Sequence, residues 1–362
     1  MFSSLFARKP ASYRARIAAA NLKLSVGSKE TLLQAALNKG IAFPHDCRAG
    51  GCGACKCRLV KGRVRELTDK SYILSAEELR DNYVLACQSI PQSDIEVDVE
   101  LRDAGASLPT HRSPGRIARM APLTHDILQV TLTLDHALPF TPGQYCELSP
   151  QQGSAAGVTR SYSFANVPDA NGTSRNADFF IRMVPGGRFT EWLFDEAQIG
   201  DVLGVSAPFG EFVLREASAP ILCIAGGSGL APVLSMLQGA LQSQPRPREV
   251  TLVLGVRSQR DLYMLDAIES LRREWPVRFE FVPVLADEPA TSGWQGRRGS
   301  IADHLGEVFG DSLSAQHAYL CGPPGMIDSC IGVLAAAGVS DSNICFDKFL
   351  DQSHLGSTKQ VA

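Results

Sequence analysis

The run His45-Asp46-Cys47-Arg48-Ala49-Gly50-Gly51-Cys52-Gly53-Ala54-Cys55 leaves the chain around it little freedom. Four residues separate Cys47 from Cys52, and two separate Cys52 from Cys55. Cys87 follows much later, in Leu85-Ala86-Cys87-Gln88. This C-x4-C-x2-C…C spacing is that of a plant-type [2Fe–2S] cluster held by four thiolates. The sulfurs of such a centre accept hydrogen bonds from backbone N–H groups, and glycines let a loop wrap that closely. A zinc site would favour a second C-x2-C pair, or histidines, at compact spacing. Cys57 falls outside the pattern and is expected to be a small buried side chain rather than a ligand.

Ligand cysteines must stay reduced, so a chain with ten cysteines in 362 residues is expected in a reducing, cytoplasmic setting rather than as a disulfide scaffold. That length implies two or three domains. A formal net charge of −3 argues against a nucleic-acid partner. No apolar run approaches the roughly 18 residues that would span a bilayer. Residues 1–17 carry Arg8, Lys9, Arg14 and Arg16 without an acid. They are expected to be a basic leader, either solvated or touching a membrane surface.

Residues 18–100 are expected to form one small domain. Leu22 to Val26 alternates as a strand does. Ser28 is a candidate N-cap for a helix over Thr31 to Leu37, with Gly40 as its stop. Lys56 to Gly62 suits a strand and turn. Asp94, Glu96, Asp98 and Glu100 alternate with Ile95, Val97 and Val99, so one strand face gathers the acids. That face is either plainly solvated or a docking surface for a basic partner. Residues 101–113, with Gly105 and Pro109, suit a linker. Residues 114–217 hold short alternating segments, such as Ile127 to Leu134 and Phe179 to Val184, in the manner of an antiparallel β-barrel. Over 218–350 the pattern changes. Continuous apolar runs (Pro220 to Ala225, Val250 to Leu254, Ala318 to Cys321) alternate with helical stretches such as Leu265 to Arg273. This is the pattern of an open parallel α/β sheet. Residues 351–362 read as a tail.

Gly226-Gly227-Ser228-Gly229-Leu230-Ala231-Pro232 joins a buried strand to a helix, where backbone N–H groups and the helix N-terminus favour a pyrophosphate. Pro232 stands where G-x-G-x-x-G has its last glycine, and proline suits a first helical turn. Cys321-Gly322-Pro323-Pro324 should lie on the same carboxyl edge, where a thiol could face a nicotinamide ring. Arg160-Ser161-Tyr162-Ser163 combines a guanidinium for phosphate, an aromatic face for a ring and hydroxyls for a ring nitrogen. Pro185-Gly186-Gly187-Arg188-Phe189-Thr190 offers N–H groups and a hydroxyl at a helix start. Taken singly, each of these runs could equally be an ordinary strand, turn or buried thiol.

Taken together, they resemble the iron–sulfur flavoprotein reductases of bacterial oxygenases, whose flavin and nicotinamide domains are ferredoxin–NADP reductase-like. The resemblance runs from about Leu22 to Phe349 and also rests on Gly40 to Cys47, Arg182 to Gly187 and Arg260-Asp261-Leu262-Tyr263. It implies a multidomain α+β and α/β protein: a β-grasp [2Fe–2S] ferredoxin domain, an antiparallel β-barrel FAD domain and an open parallel-sheet α/β NAD domain. It assigns Arg160 to FAD phosphate, Tyr162 to the flavin ring, Ser163 to its N5 region, and Gly186, Gly187 and Thr190 to the FAD pyrophosphate. It places the nicotinamide coenzyme on Gly226, Gly227, Gly229 and Pro232, with Cys321 near the reacting carbon and Gly322 among the cofactor-binding residues. Phe346 and Phe349 would shield the flavin.

The activity implied is transfer from NADH through FAD and the cluster to an oxygenase component, either a terminal hydroxylase or an intermediate ferredoxin. The likeness points to a membrane di-iron hydroxylase of aromatic hydrocarbons, which would bring the reductase to the inner face of the membrane through that partner or the leader. A Rieske ring-hydroxylating dioxygenase is the alternative partner, and a redox-sensing or electron-storage module is the alternative of another class. Arg257 and Arg260 leave a 2′-phosphate, and hence NADPH, open.

Overall fold

Apolar residues at every second position build the first sheet. In the computed structural model, which describes residues 12–45, 50, 53–101, 111–243 and 247–349, the chain forms two compact units that meet in sequence at residues 108 and 109. The first unit opens with β1 (Ser12–Ile17) and β2 (Leu22–Gly27), paired antiparallel. Helix α1 (Leu32–Asn38) follows. Thr31, not Ser28, is its N-cap: the Thr31 hydroxyl accepts from Gln34 N at 3.2 Å, while a turn from Gly27 to Glu30 uses up the preceding residues. The helix stops at Lys39, and Gly40 takes φ of +69°, a left-handed value that glycine tolerates. Then come β3 (Lys56–Lys61), β4 (Val64–Glu66), α2 (Ala76–Arg80), β5 (Tyr83–Leu85), β6 (Ser89–Pro91) and β7 (Ile95–Asp98). The main sheet runs β2-β1-β7-β3-β5, with α1 supplying Leu32, Leu33, Ala35 and Ala36 to its core: a β-grasp.

Two expectations are corrected here. Residues 12–17 are not leader but strand β1, between β2 and β7, because Ala15 and Ile17 alternate inward between Arg14 and Arg16. Residues 1–11 lie outside the described residues. The acids in and flanking β7 do share the outward face, and the plainly solvated reading holds over the docking one, because it is no bare acidic surface. Arg14 pairs with Asp94 at 2.9 Å, Arg16 with Glu96 at 3.6 Å and Arg58 with Asp98 at 2.9 Å. Three of the four acids carry a counter-charge from neighbouring strands, which removes most of the field a basic partner would follow.

The second unit begins with β8 (His111–Pro122) and β9 (Ile127–Pro139), followed by β10 (Tyr145–Pro150), β11 (Arg160–Ser163), β12 (Thr173–Arg182), α3 (Arg188–Asp195) and β13 (Val202–Phe209). His111 to Ser113, expected in the linker, already pair with Val205 to Ala207; the rest of the linker, from residue 102, lies outside the described residues. The strands form one antiparallel sheet, β11-β10-β13-β8-β9-β12. Beyond β11, Asn166 bonds Asn176 O at 3.0 Å and Asp178 N at 2.9 Å, drawing the two outer strands together as the sheet curls. Phe189, Trp192 and Leu193 of α3 close the core at one end.

The chain then alternates: β14 (Ile221–Gly226), α4 (Leu230–Ser243), β15 (Val250–Val256), α5 (Leu265–Glu274), β16 (Phe279–Leu285), β17 (Arg297–Arg298), α6 (Ile301–Phe309), β18 (His317–Gly322), α7 (Pro324–Ala336) and β19 (Ile344–Lys348). All six strands are parallel, in the order β17-β16-β15-β14-β18-β19. The order reverses between β14 and β18, so a crevice opens at their carboxyl ends. One apolar cluster joins Ile127 and Phe180 of the curled sheet, and Phe212 just beyond it, to Ile221 and Leu252 of the parallel sheet and Leu234 of α4, so the two sheets share a core. No helix among the described residues is long and apolar enough to cross a membrane.

Candidate functional site

Cys55 and Cys87 meet because β3 and β5 pair, with Lys56 opposite Leu85 and Ala86 N donating to Cys55 O at 3.0 Å. Both are buried, and their sulfurs stand 3.3 Å apart, far beyond the ~2.05 Å of a disulfide. Cys47 and Cys52 lie outside the described residues. The surroundings suit a cluster. Gly50 and Gly53 take φ of +84° and +73°. A Cβ at Gly50 would sit 2.7 Å from Gln88 Cγ and 3.3 Å from Thr68 Oγ1. The Thr68 hydroxyl is buried beside this loop with no partner among the described residues, and Gln88 Nε2 lies 3.6 Å from Cys87 Sγ. Donors gathered around paired thiols are what an anionic sulfur centre requires. Cys57 is buried in the same core, where burial above all, and then Cys55, push its thiol far up.

On the curled sheet, Tyr145 pairs with Ser163 and Leu148 with Arg160. Arg160 is exposed and donates to Thr159 O at 2.8 Å; Tyr162 packs its ring on Phe189 with centroids 5.1 Å apart; Ser163 is buried. The Gly186 turn has φ of +73°, and its N–H already holds an anionic acceptor, the Glu191 carboxylate at 2.8 Å. Gly187 caps α3 without a side-chain bond, leaving the helix N-terminus open. These features fit a diphosphate. Thr190 does not offer a spare hydroxyl. It is buried and bonds Val184 O at 3.1 Å and Gly187 O at 3.0 Å, so it shapes the turn from within.

At the crevice, Gly226, Gly227 and Gly229 end β14 and lead into α4, where Pro232 is buried in the first turn. A Cβ at Gly229 would fall 2.2 Å from Cys321 O, and one at Gly322 would fall 2.9 Å from Gly226. The two loops therefore touch backbone to backbone. A cleft of about 400 Å³ opens beside them, lined by Asp126 and Arg182 from the curled sheet and by Gly226, Gly227, Arg257 and Asp261 from the parallel one. Cys321 is fully buried. Burial, and then Asp347, push its thiol well up, so it is a neutral packing group rather than a thiolate. Phe349 anchors its N–H on Gly322 O at 2.8 Å and packs on the same apolar cluster as Cys321; Phe346 packs on a different apolar cluster of the same sheet.

Three residues given no individual role from sequence hold this cleft. Tyr263 donates its hydroxyl to Gly227 O at 2.9 Å and sets its ring edge-on to Phe180. Arg182 pairs with Asp126 at 2.7 Å; burial pushes the Asp126 carboxyl up, but hydrogen bonds from Thr124 and Arg182 outweigh it and leave it below the usual range. His125 meets Asp261 at 3.2 Å. The signal for the first two lay in the runs Arg260 to Tyr263 and Arg182 to Gly187.

Residues 17–92 match the 2Fe-2S iron-sulfur cluster binding domain, residues 114–214 the oxidoreductase FAD-binding domain and residues 223–331 the oxidoreductase NAD-binding domain. The chain is 40% identical over 352 residues to the xylene/toluene monooxygenase electron transfer component of Pseudomonas putida, covering 97% of each. The chain belongs to the iron–sulfur flavoprotein reductases of bacterial oxygenases. Within that family it is also similar to the reductase component of the naphthalene 1,2-dioxygenase system of Pseudomonas putida, at 35% identity over 88% of this chain and 93% of the relative. Among solved structures it is similar to a ferredoxin reductase in carbazole 1,9a-dioxygenase, with a TM-score of 0.71 and 32% identity over 94% and 98% of the two chains. This reductase is thus an oxidoreductase whose cofactors are a [2Fe–2S] cluster, FAD and NAD.

The exposed guanidinium at the end of β11 gives a direct check on the flavin assignment. Arg160→Ala is expected to weaken FAD binding roughly 10- to 100-fold, the loss of one charge-assisted bond to phosphate. Fluorescence titration of the flavin-stripped protein measures it; unchanged affinity would remove Arg160 from the site.

Proposed function

We propose that this reductase takes reducing equivalents from NADH and delivers them to a membrane-embedded di-iron hydroxylase acting on an aromatic hydrocarbon. The likeness to the xylene/toluene monooxygenase component along the whole of both chains is the observation that carries this reading. When bound, the cofactors convert a two-electron hydride donor into single-electron delivery. The chain's own residues bind and orient them. Cys47, Cys52, Cys55 and Cys87 would hold the cluster. Arg160, Tyr162 and Ser163 would hold the FAD phosphate, ring face and N5 edge. Gly186 and Gly187 would take its pyrophosphate in place of Glu191, on a turn that Thr190 shapes. Gly226, Gly227 and Gly229 would receive the coenzyme pyrophosphate, with Pro232 fixing the helix start behind them. Cys321 and Gly322 would border the nicotinamide, and Phe349 would cover the flavin and exclude water.

NADH is favoured over NADPH at the carboxyl end of β15. Arg257 and Arg260 are exposed there, but Glu288 holds Gln259 N at 2.9 Å in the same turn and opposes a 2′-phosphate. The protein would work in the cytoplasm, reaching the inner face of the membrane through its partner. The 35% identity to a naphthalene dioxygenase reductase supports a Rieske dioxygenase as the second candidate partner. An anaerobic titration followed by visible absorption tests the core: NADH should bleach both flavin and iron–sulfur bands, and NADPH should do so far more slowly. Absence of bleaching would end the reductase reading. Turnover with each purified oxygenase then separates the partners, and equal rates with both would defeat the membrane hydroxylase preference.

A further inference from the structure

Gln88 follows Cys87 directly and has no assigned role. Its backbone is fixed: its carbonyl accepts from Leu67 N at 2.8 Å, and the buried Ser89 hydroxyl next to it bonds Leu85 O at 2.9 Å. Its side chain is held from the other side by Gly50, whose missing Cβ leaves the space that Gln88 Cγ occupies. Between these two constraints the amide Nε2 comes to 3.6 Å from Cys87 Sγ. An amide has two donor hydrogens on nitrogen and only acceptor character on oxygen, so the nitrogen is the end that belongs against a thiolate.

We propose that Gln88 is a tuning residue: its side-chain amide donates a hydrogen bond to the Cys87 sulfur and raises the reduction potential of the cluster. The inference rests on Cys87 being a cluster ligand. Its physical basis is charge. A reduced centre carries one more negative charge than an oxidised one, and part of it resides on the sulfurs. A donor at the sulfur therefore favours the reduced state more than the oxidised one. Backbone N–H groups serve any sequence equally, whereas this bond depends on one side chain and can be removed without touching the ligand.

The test is an anaerobic redox titration of the full-length protein, following the electron paramagnetic resonance of the reduced cluster. Iron and flavin content are measured on the same samples. Gln88→Leu keeps the volume and removes the donor; the cluster's one-electron equilibrium should move roughly tenfold toward the oxidised form, which is a fall of about 59 mV. Gln88→Glu puts a carboxylate beside the sulfur and should lower the potential further. The flavin potential should not move in either. A merely structural role for Gln88 would not produce this ordering. Coincident potentials for wild type and Gln88→Leu, or Gln88→Glu lying at or above Gln88→Leu, would overturn the proposal. So would loss of cluster iron in both variants, which would assign Gln88 to cluster retention instead. A wild-type protein without the signal would be a failure of the cluster assignment itself, and is distinguishable from all of these.

Discussion

Cys87→Ala is expected to abolish NADH-driven reduction of cytochrome c while leaving NADH-driven reduction of ferricyanide largely intact. Loss of a mere outer-shell partner at a metal site already reduces activity about 10- to 100-fold, so loss of a ligand should exceed roughly 100-fold. Cys87 sits in the first compact unit, whereas the flavin and nicotinamide motifs lie in the second, with its own continuous core. Removing the thiol should therefore silence one centre and spare the other. Ferricyanide is small enough to be reduced at the flavin and reports on the second unit alone. Cys57→Ala supplies the contrast. It is equally buried, close in sequence and part of the same core, yet it falls outside the C-x4-C-x2-C…C pattern. It should keep the cluster's absorption and lose only packing, about 1–2 kcal/mol. The measurement is the pair of acceptor rates together with iron per flavin. Cytochrome c reduction surviving in Cys87→Ala would detach that cysteine from the electron path; its loss in Cys57→Ala would mean that the ligand set was misread.

What the sequence revealed and what it hid divide along sequence separation. The cysteine loop, the Gly226 to Pro232 turn and the buried parallel strands were legible because each is written within a dozen neighbouring residues. Strand β1 is obscured for a local reason: four basic residues outweigh the inward alternation of Ala15 and Ile17. The acidic face of β7 was legible as a face but not as a neutral one, because Arg14 lies 80 residues from Asp94 and Arg58 lies 40 from Asp98. Period two says where a side chain points, not what a distant strand places opposite it. The braces of the cleft at the carboxyl edge were hidden in the same way. Tyr263 finds Gly227 across 36 residues and Arg182 finds Asp126 across 56, and no spacing rule announces either pair. Thr190 shows a subtler limit. Its hydroxyl is of the type a phosphate site uses, but the fold spends it on the turn's own carbonyls.

Gly229→Ala should damage coenzyme binding as severely as Cys87→Ala damages electron delivery, and the reason lies in the backbone. The Cβ would meet Cys321 O at 2.2 Å, Cys321 C at 2.5 Å and Gly322 N at 2.9 Å. None of these is the end of a flexible side chain, so no rotamer change can relieve the contact. Either the glycine turn or the end of β18 must move, and these two loops form the crevice at which the strand order reverses. Overpacking of this kind typically costs about 1–3 kcal/mol, and if most of that falls on the coenzyme-bound state the KM for NADH should rise roughly 10- to 100-fold. Gly332→Ala is the matched control. It lies inside α7 with nothing within 4 Å of its Cβ, and should be neutral or stabilising by about 0.5–1 kcal/mol. Both variants should keep the iron–sulfur absorption, since the change lies in the second unit. Steady-state kinetics with NADH and thermal melting distinguish the outcomes. A Gly229→Ala protein with wild-type KM and melting temperature would show that the crevice can open without loss, and that the coenzyme does not depend on the close approach of the two loops.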